Sequence, residues 1–182
     1  VGFALILLAG AASPVQATAP QAQGPARAQT DPQAPDQVFT FPGGPDGAVE
    51  AGVWLPSRRA DGRPAPLIVI SHGNGGGLRS HADTARALAD AGFVVAALTH
   101  PGDNYRDMSR STQLTNRAPQ LSRLIDYMTG DWRSQPGGVA VDPNRIGAFG
   151  FSAGGFTVTS ASGGVSDAAA SGDQCQAHPG FF

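Results

Sequence analysis

With 182 residues the chain is long enough for one domain with a sizeable core. A net charge of −2 argues against nucleic acid or an anionic membrane surface as partner. All twelve basic residues are arginines, scattered along the chain in a way that reflects genome composition better than a binding face, and the single cysteine, Cys175, has no partner for an internal disulfide.

Residues 1–17 read as a signal peptide. Val1 to Ala12 is uncharged and apolar, too short to span a bilayer but suited to the core of an export signal. Val15-Gln16-Ala17 supplies small residues at a cleavage site before Thr18. There is no initiator methionine and no basic segment ahead of the apolar run, so the signal is expected to be incomplete at its start. The mature protein is expected to be periplasmic or extracellular, with no integral membrane span. Residues 18–36, mostly Ala, Pro and Gln with four prolines, form no core and read as a disordered linker. The domain is expected from residue 37 to residue 182.

Val38 to Phe41 and Ala48 to Leu55 are predicted strands joined by a Pro/Gly-rich turn. In the second, Val49, Ala51, Val53 and Leu55 alternate with Glu50, Gly52 and Trp54, the pattern of a half-exposed antiparallel pair at a sheet edge. Leu67-Ile68-Val69-Ile70, Phe93 to Leu98 and Ile146 to Phe149 are continuous apolar runs, the pattern of strands buried on both faces. A helix is predicted from about His81 to Ala91, with Ser80 as N-cap, Asp83 completing the box and Gly92 past the end. Its apolar stripe is Ala82, Ala85, Leu88 and Ala89. A second helix carries Leu114, Ala118, Leu121, Ile125 and Met128, with Pro119 starting or kinking it and Gly130 ending it. Asp142-Pro143-Asn144 reads as a turn into the third run. Alternation of buried strands and helices implies a mostly parallel α/β sheet with helices on both faces.

Gly150-Phe151-Ser152-Ala153-Gly154 follows the third run and reads G-x-S-x-G. A serine hydroxyl is a weak nucleophile unless a base takes its proton and a sharp strand-to-helix turn holds it exposed. The flanking glycines remove the Cβ atoms that such a turn would drive into neighbouring backbone. In a chain with 25 glycines the motif alone has modest specificity. Ser71-His72-Gly73-Asn74-Gly75-Gly76-Gly77, directly after the first buried run, strengthens it. Acyl transfer places negative charge on the carbonyl oxygen, and two backbone N–H groups aimed there stabilise it. The expected donors are Ala153, next to the nucleophile, and Asn74, with Gly75 as the alternative. Both motifs sit at the C-terminal ends of predicted parallel strands, where ligands bind in open α/β sheets.

These residues resemble the α/β-hydrolase superfamily. With His100-Pro101-Gly102-Asp103-Asn104 and Asp142-Pro143-Asn144-Arg145-Ile146-Gly147 added, the chain is similar to secreted bacterial predicted dienelactone hydrolases and platelet-activating-factor acetylhydrolase-like proteins. The resemblance covers Val38 to the end and implies an α/β-hydrolase fold. It also implies a Ser-His-Asp triad that cleaves carboxylic esters or lactones, small-molecule substrates, with no metal or organic cofactor. The triad order in that fold is Ser, then acid, then His. After Ser152 the chain offers only Asp167, Asp173 and His178, with no strand-like run to carry them. The expectation is therefore an N-terminal half of the fold, its C-terminal strands absent, with acid and base beyond Phe182, where Cys175 would also find a partner. A chain of that kind leaves the nucleophile strand at an uncovered edge, prone to association.

Other polar residues carry plainer readings. His72 shapes its loop. His100 and Asp103 hydrogen-bond the loop after their strand or else line the pocket. His81 is exposed in the first helical turn. No cluster has metal-ligand spacing. Two other functional readings stand beside the esterase: an inert secreted binding module, and an acyltransferase or peptidase on the same fold.

Overall fold

The computed structural model describes residues 31–57 and 63–165. Five strands form one sheet: β1 (Gln37–Pro42), β2 (Ala48–Trp54), β3 (Ala65–Ser71), β4 (Val94–Leu98) and β5 (Val141–Gly150), in the spatial order β1-β2-β4-β3-β5. The β1–β2 and β2–β4 pairs are antiparallel; β3 pairs in parallel with both β4 and β5. Among the described residues three α-helices pack on the sheet: α1 (Ala82–Asp90) between β3 and β4, α2 (Arg117–Thr129) between β4 and β5, and α3 (Ala153–Ala161) after β5.

Strand alternation builds two cores, because successive side chains point to opposite faces. Val49, Ala51, Val53, Leu67, Val69, Val94, Ala96 and Leu98 face α2, which contributes Leu121, Leu124 and Met128. Val158 and Ala161 of α3 pack against this same core. Ile70, Val95 and Ala97 face the opposite way and meet Ala85 and Ala89 of α1. The small residues on α1 let the helix approach the sheet closely, and Gly92, at φ 103, ends it as expected.

Several expectations change. β2 is not half-exposed: it is paired on both sides, and Trp54 is fully buried in the α1-side core with its indole N–H donating to the Gln33 carbonyl (2.8 Å). β5 is not buried on both faces; among the described residues it is a sheet edge, with Ile146 38% and Phe149 36% exposed. Residues 142–144 are part of β5, not a separate turn. Ala65 pairs with Val141 and Leu67 with Ile146, so Pro66 alone spans the stretch opposite residues 142–145. Asp142 Oδ1 accepts the Asn144 N–H (2.9 Å) inside this bulge, and an edge strand tolerates Pro143 there. Ser80 does not cap α1: its Oγ accepts the Gly77 N–H (2.9 Å), and Asp83 Oδ1 accepts from Thr84 (2.7 Å). His81 stands at the N-cap position without a side-chain capping bond. α2 starts at Arg117, which makes Pro119 its third residue, inside the first turn where a missing N–H costs nothing.

Residues 31–36, which composition assigns to the linker, are tied to the sheet and α1. Asp36 Oδ2 accepts the Leu55 N–H (2.6 Å), and its Oδ1 pairs with Arg86 (3.1 Å). Asp167, Asp173, Cys175 and His178 lie outside the described residues. No helix among the described residues is long and apolar enough to cross a membrane.

Candidate functional site

The C-terminal ends of the parallel strands β3 and β5 carry the two motifs. Ser152 follows β5 and precedes the first residue of α3. Its φ of 53° and ψ of −122° make it the only non-glycine residue with positive φ among the described residues. A side chain held there costs about 1–3 kcal/mol, a strain that surrounding structure must impose. Two glycines permit it. A Cβ at Gly154 would overlap the Ser71 and His72 carbonyl oxygens, and a Cβ at Gly150 would overlap the Gly154 carbonyl. The turn is closed by Gly154 N–H to the Phe151 carbonyl (2.8 Å) and anchored to β3 by Phe151 N–H to the Ser71 carbonyl (3.3 Å). Ser152 is exposed and makes no side-chain bond to its helix.

The loop after β3 lies against this turn. A Cβ at Gly73 would sit 3.5 Å from Ser152 Cβ and 3.3 Å from the Phe151 ring. The Ala153 N–H, first in α3, and the Asn74 N–H meet no acceptor among the described residues. Gly75, the alternative donor, is ruled out for that role: its N–H is taken by Asp103 Oδ1 (2.9 Å).

Beneath the loop lies a buried polar network. His72 Nε2 accepts the His100 N–H (3.1 Å), so its Nδ1 carries the proton and donates to the Gly73 carbonyl (2.6 Å). The Gln120 amide donates to Asp46 Oδ2 (2.9 Å), which turns its Oε1 toward His100 Nδ1 (2.7 Å). His100 therefore donates from Nδ1, and its Nε2 accepts from the Ser71 hydroxyl (2.8 Å). Arg117 pairs with Asp103 Oδ2 (2.6 Å) and donates to the His72 carbonyl. His100 and Asp103 are thus fully enclosed, 0% and 2% exposed; they do not line a pocket, and the loop they hold is the one after β3, through His72 and Gly75, not only the one after their own strand. His81 is half-buried, not free in solvent: its ring packs 5.3 Å from Phe149 and 5.6 Å from Phe151.

Arg117, Gln120 and Asp46 belong to no sequence motif, and Ser71 enters one only as a flanking residue. A signal for two of them was present. Arg117 and Gln120 fall on the same helical face as Leu121, Leu124 and Met128, and polar residues inside an apolar stripe are buried with partners.

Both histidines are held neutral. Burial pushes His72 from its ordinary 6.5 down to about 4, against the opposing effect of its bond to Gly73. Burial likewise lowers His100 well below 6.5, with Arg117 and His72 adding to the effect. Below about pH 6.5 the unfolded chain takes up protons that the folded chain refuses, so stability falls as pH drops toward 4. His72 alone accounts for a loss on the order of 3 kcal/mol across that window. Urea midpoints measured in steps from about pH 7.5 to about pH 4.5 are expected to decline, and His72→Asn is expected to flatten the decline; a flat wild-type profile contradicts the assignment.

A cavity of about 600 Å³ is lined by the Gly75–Ser80 segment together with Val38, Glu50, Tyr105 and Arg106. No residue of the serine turn lines it. β3 and β4 lie between β5 and β2, a lateral separation of about 14 Å at ~4.8 Å per strand. Among the described residues, no three His, Cys, Asp or Glu side chains group as a metal site.

No protein-family model and no curated protein matches the chain. Solved structures do. A ferulic acid esterase from Streptomyces cinnamoneus matches at 24% identity and TM-score 0.51, covering 69% of this chain and 53% of that one. A puromycin-hydrolyzing peptidase from Mycobacterium tuberculosis matches at 19% identity and TM-score 0.56, covering 75% and 22%. A thermophilic esterase from Thermogutta terrifontis matches at 18% identity and TM-score 0.50, covering 70% and 44%. The chain spans about half or less of the length of each. With the sheet order and the helices on both faces, these likenesses establish that the chain has the α/β-hydrolase fold.

Proposed function

We propose that the protein is a serine hydrolase that cleaves carboxylic esters or lactones through an acyl-enzyme on Ser152. The observation that carries this reading is the positive φ of Ser152, in a turn that only its two glycines make possible. Strain confined to one exposed hydroxyl has a use in catalysis and none in packing. Ser152 Oγ attacks the carbonyl carbon, and its proton passes to a base. The carbonyl π electrons move onto oxygen, where the Asn74 and Ala153 N–H groups receive the charge. Collapse of the tetrahedral intermediate expels the alcohol, and water then releases the acid by the same steps. His72 and His100 are unsuited as the base, since every ring nitrogen of both is already engaged inside the loop network. By the order of the triad in this fold, the base and its acid are assigned to positions after Ser152, beyond the described residues and beyond Phe182.

The resemblance to dienelactone hydrolase-like proteins supports ester or lactone substrates, and the esterases among the fold neighbours are compatible with it. Export is part of the same proposal, carried by the apolar start and the Val15-Gln16-Ala17 site. Treatment of the full-length protein with a fluorophosphonate, read by intact and peptide mass, tests both parts. The expected result is one adduct on Ser152, on a mature chain that begins at Thr18. An adduct elsewhere, or none, overturns the nucleophile assignment. Turnover of p-nitroanilides in place of p-nitrophenyl esters would move the reading to a peptidase.

A further inference from the structure

We propose that the buried Asp103–Arg117 ion pair is a positioning clamp that turns the Gly75 amide inward and holds the Asn74 amide toward the reacting carbonyl oxygen. The proposal rests on the serine-hydrolase reading and names what makes its oxyanion donor rigid.

The need for a clamp follows from composition. Gly73-Asn74-Gly75-Gly76-Gly77 has four glycines in five residues, and glycine leaves the backbone free to reorient. A donor of that kind stabilises a developing oxyanion only when it is already aimed. Asn74 itself is exposed, and its side chain reaches only the Ser111 carbonyl (3.2 Å). Its orientation has to come from its neighbours.

They are gripped on both sides. Two residues before Asn74, the His72 carbonyl accepts from Arg117 Nη2. One residue after it, the Gly75 N–H donates to Asp103 Oδ1 (2.9 Å). The two grips are joined through Arg117 Nη1 and Asp103 Oδ2 at 2.6 Å, with side chains only 2% and 3% exposed. Between them, the Gly73 carbonyl accepts from His72 Nδ1 (2.6 Å) and from the Gly76 N–H (3.1 Å). The Gly73–Asn74 peptide is planar and trans, so fixing that carbonyl fixes the Asn74 N–H in the opposite direction.

Stability is a poor explanation for the pair. A buried ion pair gains little over apolar packing of the same volume. Apolar packing, however, supplies no acceptor for the Gly75 N–H. The two donors reach different oxygens of Asp103, the Gly75 N–H reaching Oδ1 and Arg117 Nη1 reaching Oδ2, so position 103 has to present an acceptor oxygen in each direction. A carboxylate has two; an amide has one.

Asp103→Asn therefore breaks one of the two contacts while keeping the volume, and Asp103→Ala breaks both. In the full-length protein, active sites are titrated with a fluorophosphonate, and kcat and KM for p-nitrophenyl acetate are expressed per titrated site. The expected result is a fall of about tenfold or more in kcat per titrated site for both variants, with KM within about threefold. Hydrogen exchange at the Gly75 amide is expected to quicken by about tenfold or more in Asp103→Ala, which removes both contacts. A merely structural pair would lower the titratable fraction and leave kcat per site alone. If wild type labels at Ser152 and Asp103→Asn keeps kcat per site within about twofold, the clamp is overturned and the hydrolase reading stands. If wild type does not label at all, the hydrolase reading fails and the clamp's catalytic role falls with it.

Discussion

Replacing Ser152 by alanine is expected to lower kcat toward p-nitrophenyl esters by about 10⁴-fold or more and to abolish fluorophosphonate labelling, with stability within about 0.5 kcal/mol of wild type. The activity loss follows from removal of the attacking oxygen, which nothing else in the described turn replaces. The unchanged stability follows from the backbone. Alanine keeps a Cβ at φ 53°, so the strain remains. Ser152→Gly separates the two effects: it is equally inactive, but removing the Cβ at positive φ relieves the strain, and a gain of about 1 kcal/mol is expected. Thermal unfolding and kinetics on the three proteins check this together. Residual turnover above about one per cent in Ser152→Ala, reproduced in separately purified samples, would remove Ser152 from the mechanism.

Gly154→Ala is expected to be among the most damaging small substitutions in the domain. The new Cβ would meet the carbonyl oxygens of Ser71 and His72, both backbone, so no side chain can swing aside. Either α3 lifts from β3 or the Phe151–Ser71 bond breaks, and a loss of about 3 kcal/mol is expected, with loss of Ser152 labelling. Gly155→Ala is the control. There the Cβ would lie 3.6 Å from the Gly150 carbonyl, an ordinary contact, and the residue is inside α3. A helical Gly→Ala change is expected to be neutral or to add about 0.5–1 kcal/mol. Equal unfolding midpoints for the two variants would show that the turn does not depend on the close approach of Gly154 to β3.

Much of this framework is legible in residue order. The apolar runs at 67–70 and 93–98, the alanine stripe of α1 and the G-x-S-x-G turn each carry a local signal, because periodicity and glycine placement report directly on backbone geometry. What failed was exposure. The run at 146–149 looks like a doubly buried strand, yet Ile146 and Phe149 are partly exposed beside the exposed Phe151. An apolar run records what a strand's faces require and not which neighbours are present. Trp54 failed in the opposite sense: its alternating pattern suggested an outward residue, but α1 covers that face.

The polar residues show the same division. The proposed oxyanion donors Ala153 and Asn74 could be named because that role rests on main-chain N–H groups at fixed offsets from a motif, and the proposed nucleophile Ser152 because it is the motif's own serine. The pairing of Asp103 with Arg117, fourteen residues apart in sequence and 2.6 Å apart in space, could not, and neither could the Asp46–Gln120–His100–Ser71 chain that spans from residue 46 to residue 120. Sequence alone determined the strand and helix order, the turn that exposes Ser152 and the glycine-rich loop opposite it, since these follow from local backbone preferences. Tertiary structure alone decided which loop amide is free, which tautomer each histidine holds and which aspartate faces the arginine. Those depend on burial and on hydrogen-bond partners brought together from distant positions, where an unpaired polar group is too costly to leave and the choice of partner is set by packing.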